Sequence, residues 1–179
     1  MPSSGPNSPV TVVNDTGVGS VAWTNPGDAV SSNDTDASAI LAMGAISNYL
    51  KATDFGFNIA SGATINGITV AWERSATIMG TISDNRVRIV KGGTIGATDK
   101  SAAGTWGTVD AYQSYGSTSD LWGESWTPAD INGTTFGAAM AATSSGASSA
   151  TVDHVRITVQ YTDAAGGGEA MGQRGFFGI

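Results

Sequence analysis

His154 is the chain's only imidazole, and it directly follows Asp153 in a stretch of alternating character, TVDHVRITVQY. A Ser/His/Asp triad would have to be built on this histidine, and a histidine-rich or thiolate zinc centre is excluded because the chain also has no cysteine. Period-two alternation puts Asp153, Val155, Ile157, Val159 and Tyr161 on one strand face and His154 on the other, so Asp153 cannot orient His154 as a base within that strand. On the apolar face the Asp153 carboxylate needs donors, and backbone or hydroxyl groups at a sheet corner are the expected ones. No G-x-S-x-G elbow occurs, and Gly-rich stretches such as KGGTIG fit neither phosphate-binding fingerprint. These residues predict a protein that is not an enzyme and carries no cofactor.

Two further groups have types that bind ligands. The loop GDAVSSNDTDAS offers the hard oxygens of Asp28, Asn33, Asp34 and Asp36, the kind Ca²⁺ takes, though without EF-hand spacing. The same side chains cap turns, so no metal is expected, and these four are the candidates if one binds. Trp106, Tyr112, Tyr115, Trp122 and Trp126 lie among Asp110, Asp120, Glu124 and Asp130. Aromatics beside acids suit a glycan-stacking platform, but Trp and Tyr also fill cores, and nothing in the spacing sets two carboxyls about 5–10 Å apart across a groove.

The elements that must position these residues read as strands. Period-two runs at 9–13, 20–23, 37–43, 49–59, 64–74, 85–91, 109–116, 135–144 and 151–161 are separated by short Gly/Ser/Asn-rich turns. Short connections favour antiparallel neighbours, and no helical crossover is present to make parallel ones. TPADING alone reads as a helix start, with Thr127 as N-cap, Pro128 in the first turn and Gly133 as the stop. The expected fold is all-β: an antiparallel jelly-roll-like β-sandwich over residues 10–163, with an N-terminal arm at 1–9 and a C-terminal extension at 164–179.

Charge narrows the partners. With 8 Lys and Arg against 15 Asp and Glu, the net charge of −7 argues against nucleic acid, whose phosphates need clustered cations. No run reaches membrane-spanning length, and MPSSGPNSP has no basic n-region or apolar core of a signal peptide, so synthesis in a cytoplasm without a membrane partner is expected. In the extension, Ala164–Gly168 form a linker, and Met171, Arg174, Phe176, Phe177 and Ile179 follow it. Apolar side chains there gain free energy only when buried, which makes these five the expected docking residues toward other copies or another protein.

The segments VAWTNPGDAVSSNDTDASA, YLKATDFGFNIASGATINGITVAWER, RVRIVKGGTIG, LWGESWTPADINGTTFG and VDHVRITVQYTD resemble a group of β-sandwich proteins from tailed bacteriophages and prokaryotic surfaces. The resemblance implies a jelly-roll or galactose-binding-like sandwich. It further implies a structural role on a virion, above all capsid decoration or cement, with other virion proteins or its own copies as partners and the virion as location. The alternative under the same resemblance is an adhesion or tail-fibre module that binds host glycan.

Overall fold

The computed structural model describes residues 2–164. Among the described residues, ten strands form two antiparallel sheets packed face to face, an antiparallel β-sandwich. The first sheet holds β1 (Ser3–Asn7), β3 (Ala37–Leu41), β5 (Thr64–Ala76), β8 (Ala111–Gly116) and β10 (Ser148–Thr162). The second runs in the order β2 (Thr11–Asp15), β4 (Tyr49–Thr53), β9 (Gly137–Ser144), β6 (Ile82–Lys91) and β7 (Thr94–Ile95).

The long strand β10 organises the first sheet. One edge pairs with β5 over almost its whole length, while the other takes β3 at residues 148–152 and β1 at 157–160, end to end. Val30 bridges to His154 in the gap between them. Residues 3–7 are therefore a strand of the sandwich and not a free N-terminal arm. Their sequence, SSGPN, carries no apolar alternation, and the unfilled ladder of β10 recruits it through backbone hydrogen bonds.

Alternation works as expected along most of the core. Val155, Ile157 and Val159 of β10 and Ile68, Val70 and Trp72 of β5 pack inward against Leu50, Val87, Ile89 and Met140 of the facing sheet. Val152 joins them although strict alternation assigns it to the polar face, because a register shift between Val152 and His154 changes the phase of the strand. Residues 20–23 do not form a strand: Val21 makes one bridge, to Ser47, and the Trp23 indole donates to the Asn48 carbonyl at 2.8 Å.

Helix α1 (Pro128–Asn132) forms where the sequence predicts it, with Thr127 and Asp130 closing a capping box. Its last residue grips the loop that follows β4. Asn132 Oδ1 accepts the Ile59 amide and Asn132 Nδ2 donates to the Ile59 carbonyl, both at 2.8 Å. The side-chain amide thus replaces a strand neighbour for that loop.

Candidate functional site

Three of the five aromatics considered for glycan stacking are spent on packing, and the other two are half-buried. Trp106, Tyr115 and Trp122 are buried in the main core. Each polar handle is satisfied inside: Trp106 Nε1 donates to Asp84 Oδ1 at 2.8 Å, the Tyr115 hydroxyl to Asp84 Oδ2 at 2.8 Å, and Trp122 Nε1 to the Ile68 carbonyl at 2.9 Å. Trp126 meets Phe136 edge to face at 5.3 Å and has the Lys91 ammonium 5.2 Å from its ring centre. Tyr112 lies under the Arg156 guanidinium, 3.7 Å from its ring centre. A sugar ring needs an open aromatic face, which the buried Trp106, Tyr115 and Trp122 do not offer.

Two of the nearby acids, Asp120 and Asp130, are also engaged. Asp120 pairs with Lys100 at 2.7 Å, and Asp130 belongs to the capping box and lies 3.6 Å from Lys91. Asp153 accepts the amides of Asn33 and Thr35 at 3.1–3.3 Å, the backbone-donor role expected of it. Asn33 Oδ1 accepts the Thr35 amide as well, which commits it to the turn. Among the described residues no three His, Asp or Glu side chains converge as a metal set, Asp28, Asp34 and Asp36 included. They do share a field: burial, then Asp110, Asp153, Asp34 and Asp28, raises the Asp36 pKa.

His154 sits in a polar row across the outer face of the first sheet, since β10, β5 and β8 align His154 with Glu73 and Glu73 with Tyr112. Its Nδ1 is 2.7 Å from the Tyr112 hydroxyl and its Nε2 is 2.9 Å from Ser8 Oγ. Burial lowers the His154 pKa, with Glu73 and Asp153 opposing and Arg156 assisting. The row ties the segment after β1 to the sheet, and Asp153 has no part in it as a hydrogen-bond partner.

A cleft lies on the outer face of the second sheet. Central strand β9 presents Ala139 and Ala141 there, forming a small apolar cluster with Tyr49 and Val90 that is separate from the main core. Cross-strand register sets Lys51 and Arg88 on either side of Ala139, so two long cationic side chains flank a floor one methyl deep. Asp15, opposite Tyr49, closes one side. The result is a cleft of about 310 Å³ lined by Asp15, Gly17, Tyr49, Lys51, Arg88, Gly93 and Ile95.

Its polar groups are held but not exhausted. Lys51 Nζ is 3.3 Å from Asp15 Oδ2 and donates to the Gly93 carbonyl at 2.7 Å. Arg88 Nη1 donates to the Gly96 carbonyl at 3.2 Å, while its Nε is buried without a protein partner. Burial raises the Tyr49 pKa, and Arg88 and Arg86 pull it back down. The arrangement combines cationic donors, one carboxylate and a phenol in a concave surface, a set that fixes polar ligands by direction as well as charge. These residues lie outside the groups singled out in the sequence. Alternation in YLKAT and RVRIVK does place Tyr49, Lys51, Arg86 and Arg88 on outward faces, but the β4-β9-β6 adjacency that makes one cleft of them is non-local.

Met171, Arg174, Phe176, Phe177 and Ile179 lie outside the described residues. Among the described residues, no helix is long and apolar enough to cross a membrane. No model of a known protein family matches this chain, and no curated protein sequence does either. Among solved structures, the chain is similar to the N-terminal cellulose-binding domain of β-1,4-glucanase C from Cellulomonas fimi, at 12% identity over 90% of this chain and 93% of that chain, with a TM-score of 0.34. Strand pairing and burial define the class: an antiparallel β-sandwich with a polar cleft on the outer face of one sheet.

Proposed function

We propose that this protein is a non-catalytic binding module that holds an acidic saccharide in the Tyr49–Lys51–Arg88 cleft. The observation that carries the reading is a concentration of cations against the overall charge. Lys51, Arg86 and Arg88 project from β4 and β6, the strands on either side of β9, on one sheet face in a chain with only 8 basic residues and a net charge of −7. Arg88, anchored by its Nη1 on the Gly96 carbonyl, brings a planar guanidinium of the kind that suits a carboxylate. The Lys51–Asp15 pair places a donor beside an acceptor, as adjacent sugar hydroxyls require. Titration calorimetry with uronate-containing and neutral oligosaccharides tests the reading. Binding restricted to the acidic ligands, weakened by salt and by Arg88→Ala, is expected; equal binding of neutral ligands, or none of either, overturns it.

A structural role on a virion draws its support from the sequence resemblance and from the apolar residues 171–179. It predicts attachment of the intact chain to purified undecorated particles that is lost on truncation after Asp163.

A further inference from the structure

A second concavity, of about 420 Å³, lies at the end of the sandwich where the described chain leaves it. Ile59 and Ala63 form one wall and Pro128 and Ala129 the other, with Ser61, Thr127 and Asn132 at the rim. The two-bond clamp between Asn132 and Ile59 fixes the walls relative to each other. The groove is apolar, preformed and within the ~300–1,000 Å³ range of ligand pockets. Gly62 lines it, and a Cβ built there would lie 3.3 Å from the Ala164 methyl, so the chain exits over the groove's own rim.

We infer that this groove is the seat of the chain's own residues 176–179, with Phe176, Phe177 and Ile179 as the side chains that fill it. The occupant follows from what comes after Ala164: a linker of Ala165 and three glycines, then eleven residues that carry these apolar side chains. Twelve chain steps lead from Ala164 to Phe176. A Gly-rich chain of that length has a root-mean-square span of roughly 17–21 Å, more than enough to fold back onto a rim it already touches. Tethering at such range gives a millimolar effective concentration, which favours the same molecule over a second copy at ordinary protein concentrations. The apolar residues beyond the sandwich and the apolar groove beside its exit thereby satisfy each other.

The absence of cysteine makes the test direct. In the full chain, Ala129→Cys, at an exposed wall position, is combined with Gly178→Cys and oxidised under mild conditions. The control combines Gly178→Cys with Val109→Cys, which is 77% exposed and sits beyond Ala111, the partner of Arg74 at the far end of β5 from the groove. A monomeric disulfide forming at least tenfold faster in the first pair, and slowed to the control rate by Phe176→Ser with Phe177→Ser, is the expected result. Disulfide-linked dimers would give the groove to a second copy and overturn the inference. Equal rates in the two pairs, or a fast monomeric bond insensitive to the serine changes, would also overturn it.

Discussion

Asp84 Oδ1 accepts the Trp106 indole N–H at 2.8 Å inside the sandwich, at a carboxylate whose side chain is 1% exposed. The same carboxylate accepts the Tyr115 hydroxyl and the Ala102 amide, and the Arg74 guanidinium lies 3.6 Å from it and 4.6 Å from the centre of the Trp106 ring. Arg74 Nε in turn donates to the Tyr115 oxygen at 3.1 Å. Burial, with Asp84 next, holds the Tyr115 pKa far above its ordinary value, so the phenol keeps its proton and remains a donor. Every member depends on the carboxylate. Asp84→Ala strands a buried guanidinium, a phenol and an indole, and is expected to cost about 3–5 kcal/mol in chemical denaturation, the range for breaking one side of a buried ion pair. A loss below about 1 kcal/mol would show that water or a rearranged partner replaces the carboxylate.

This network also explains where reading the sequence stops short. Trp106 and Tyr115 stand among acids in a Gly-rich stretch, and composition alone cannot separate an aromatic that packs from one that waits for a ligand. The decision lies in Asp84, some twenty to thirty residues earlier and on the opposite sheet. Local signals fared better where the chemistry is local. Alternation in RVRIVK gives the phase of β6, and Thr127 with Asp130 caps α1 as its spacing predicts. Residues 3–7 have no local signal, since their strand conformation comes from the free edge of β10. The cleft is hidden for the same reason: Lys51 and Arg88 become neighbours only through Ala139 between them.

At the cleft, the shape of the cation should matter as well as its charge. An arginine that meets a carboxylate with two parallel N–H groups loses that geometry when replaced by lysine. Arg88→Ala is expected to weaken acidic-saccharide binding by about 1.5–3 kcal/mol, the usual worth of a hydrogen bond to a charged group, or roughly 10- to 150-fold. Arg88→Lys should recover only part of it. Full recovery in calorimetry would reduce the role of Arg88 to bulk charge.

His154 gives the fold a pH dependence of definite sign. Burial depresses its folded pKa below the ordinary 6.5, so the unfolded chain takes up a proton at a pH where the folded chain does not. Its contribution is complete above the unfolded value and is lost as pH falls through the folded one. Glu73 and Asp153 limit the shift and Arg156 adds to it. Urea midpoints of the parent chain should therefore fall more steeply between pH 7.5 and 5 than those of His154→Gln. Parallel slopes would mean that the folded protein accommodates imidazolium as readily as water does.

Asn132 offers a reversible version of the same kind of test, because its amide both accepts from and donates to the backbone of the buried Ile59. Asn132→Ala removes both bonds and leaves a buried N–H and C=O unpaired, for an expected loss of about 2–3 kcal/mol. Asn132→Asp keeps the shape but, ionised at pH 7, sets a carboxylate oxygen against the Ile59 carbonyl that had accepted the Nδ2 hydrogen bond. Protonated, the same carboxyl has one O–H to donate and one oxygen to accept, which reproduces the amide's pattern. The folded state then prefers the acid form, the aspartate pKa rises above its unfolded value of about 3.9, and stability relative to the parent returns as pH falls through the raised value. Melting curves from pH 7 to pH 4 should show the Asn132→Asp deficit shrinking while the Asn132→Ala deficit stays constant. A deficit that is the same for both at every pH would mean that the loop, and with it the groove wall, is held by the packing of Ile59 and not by the clamp.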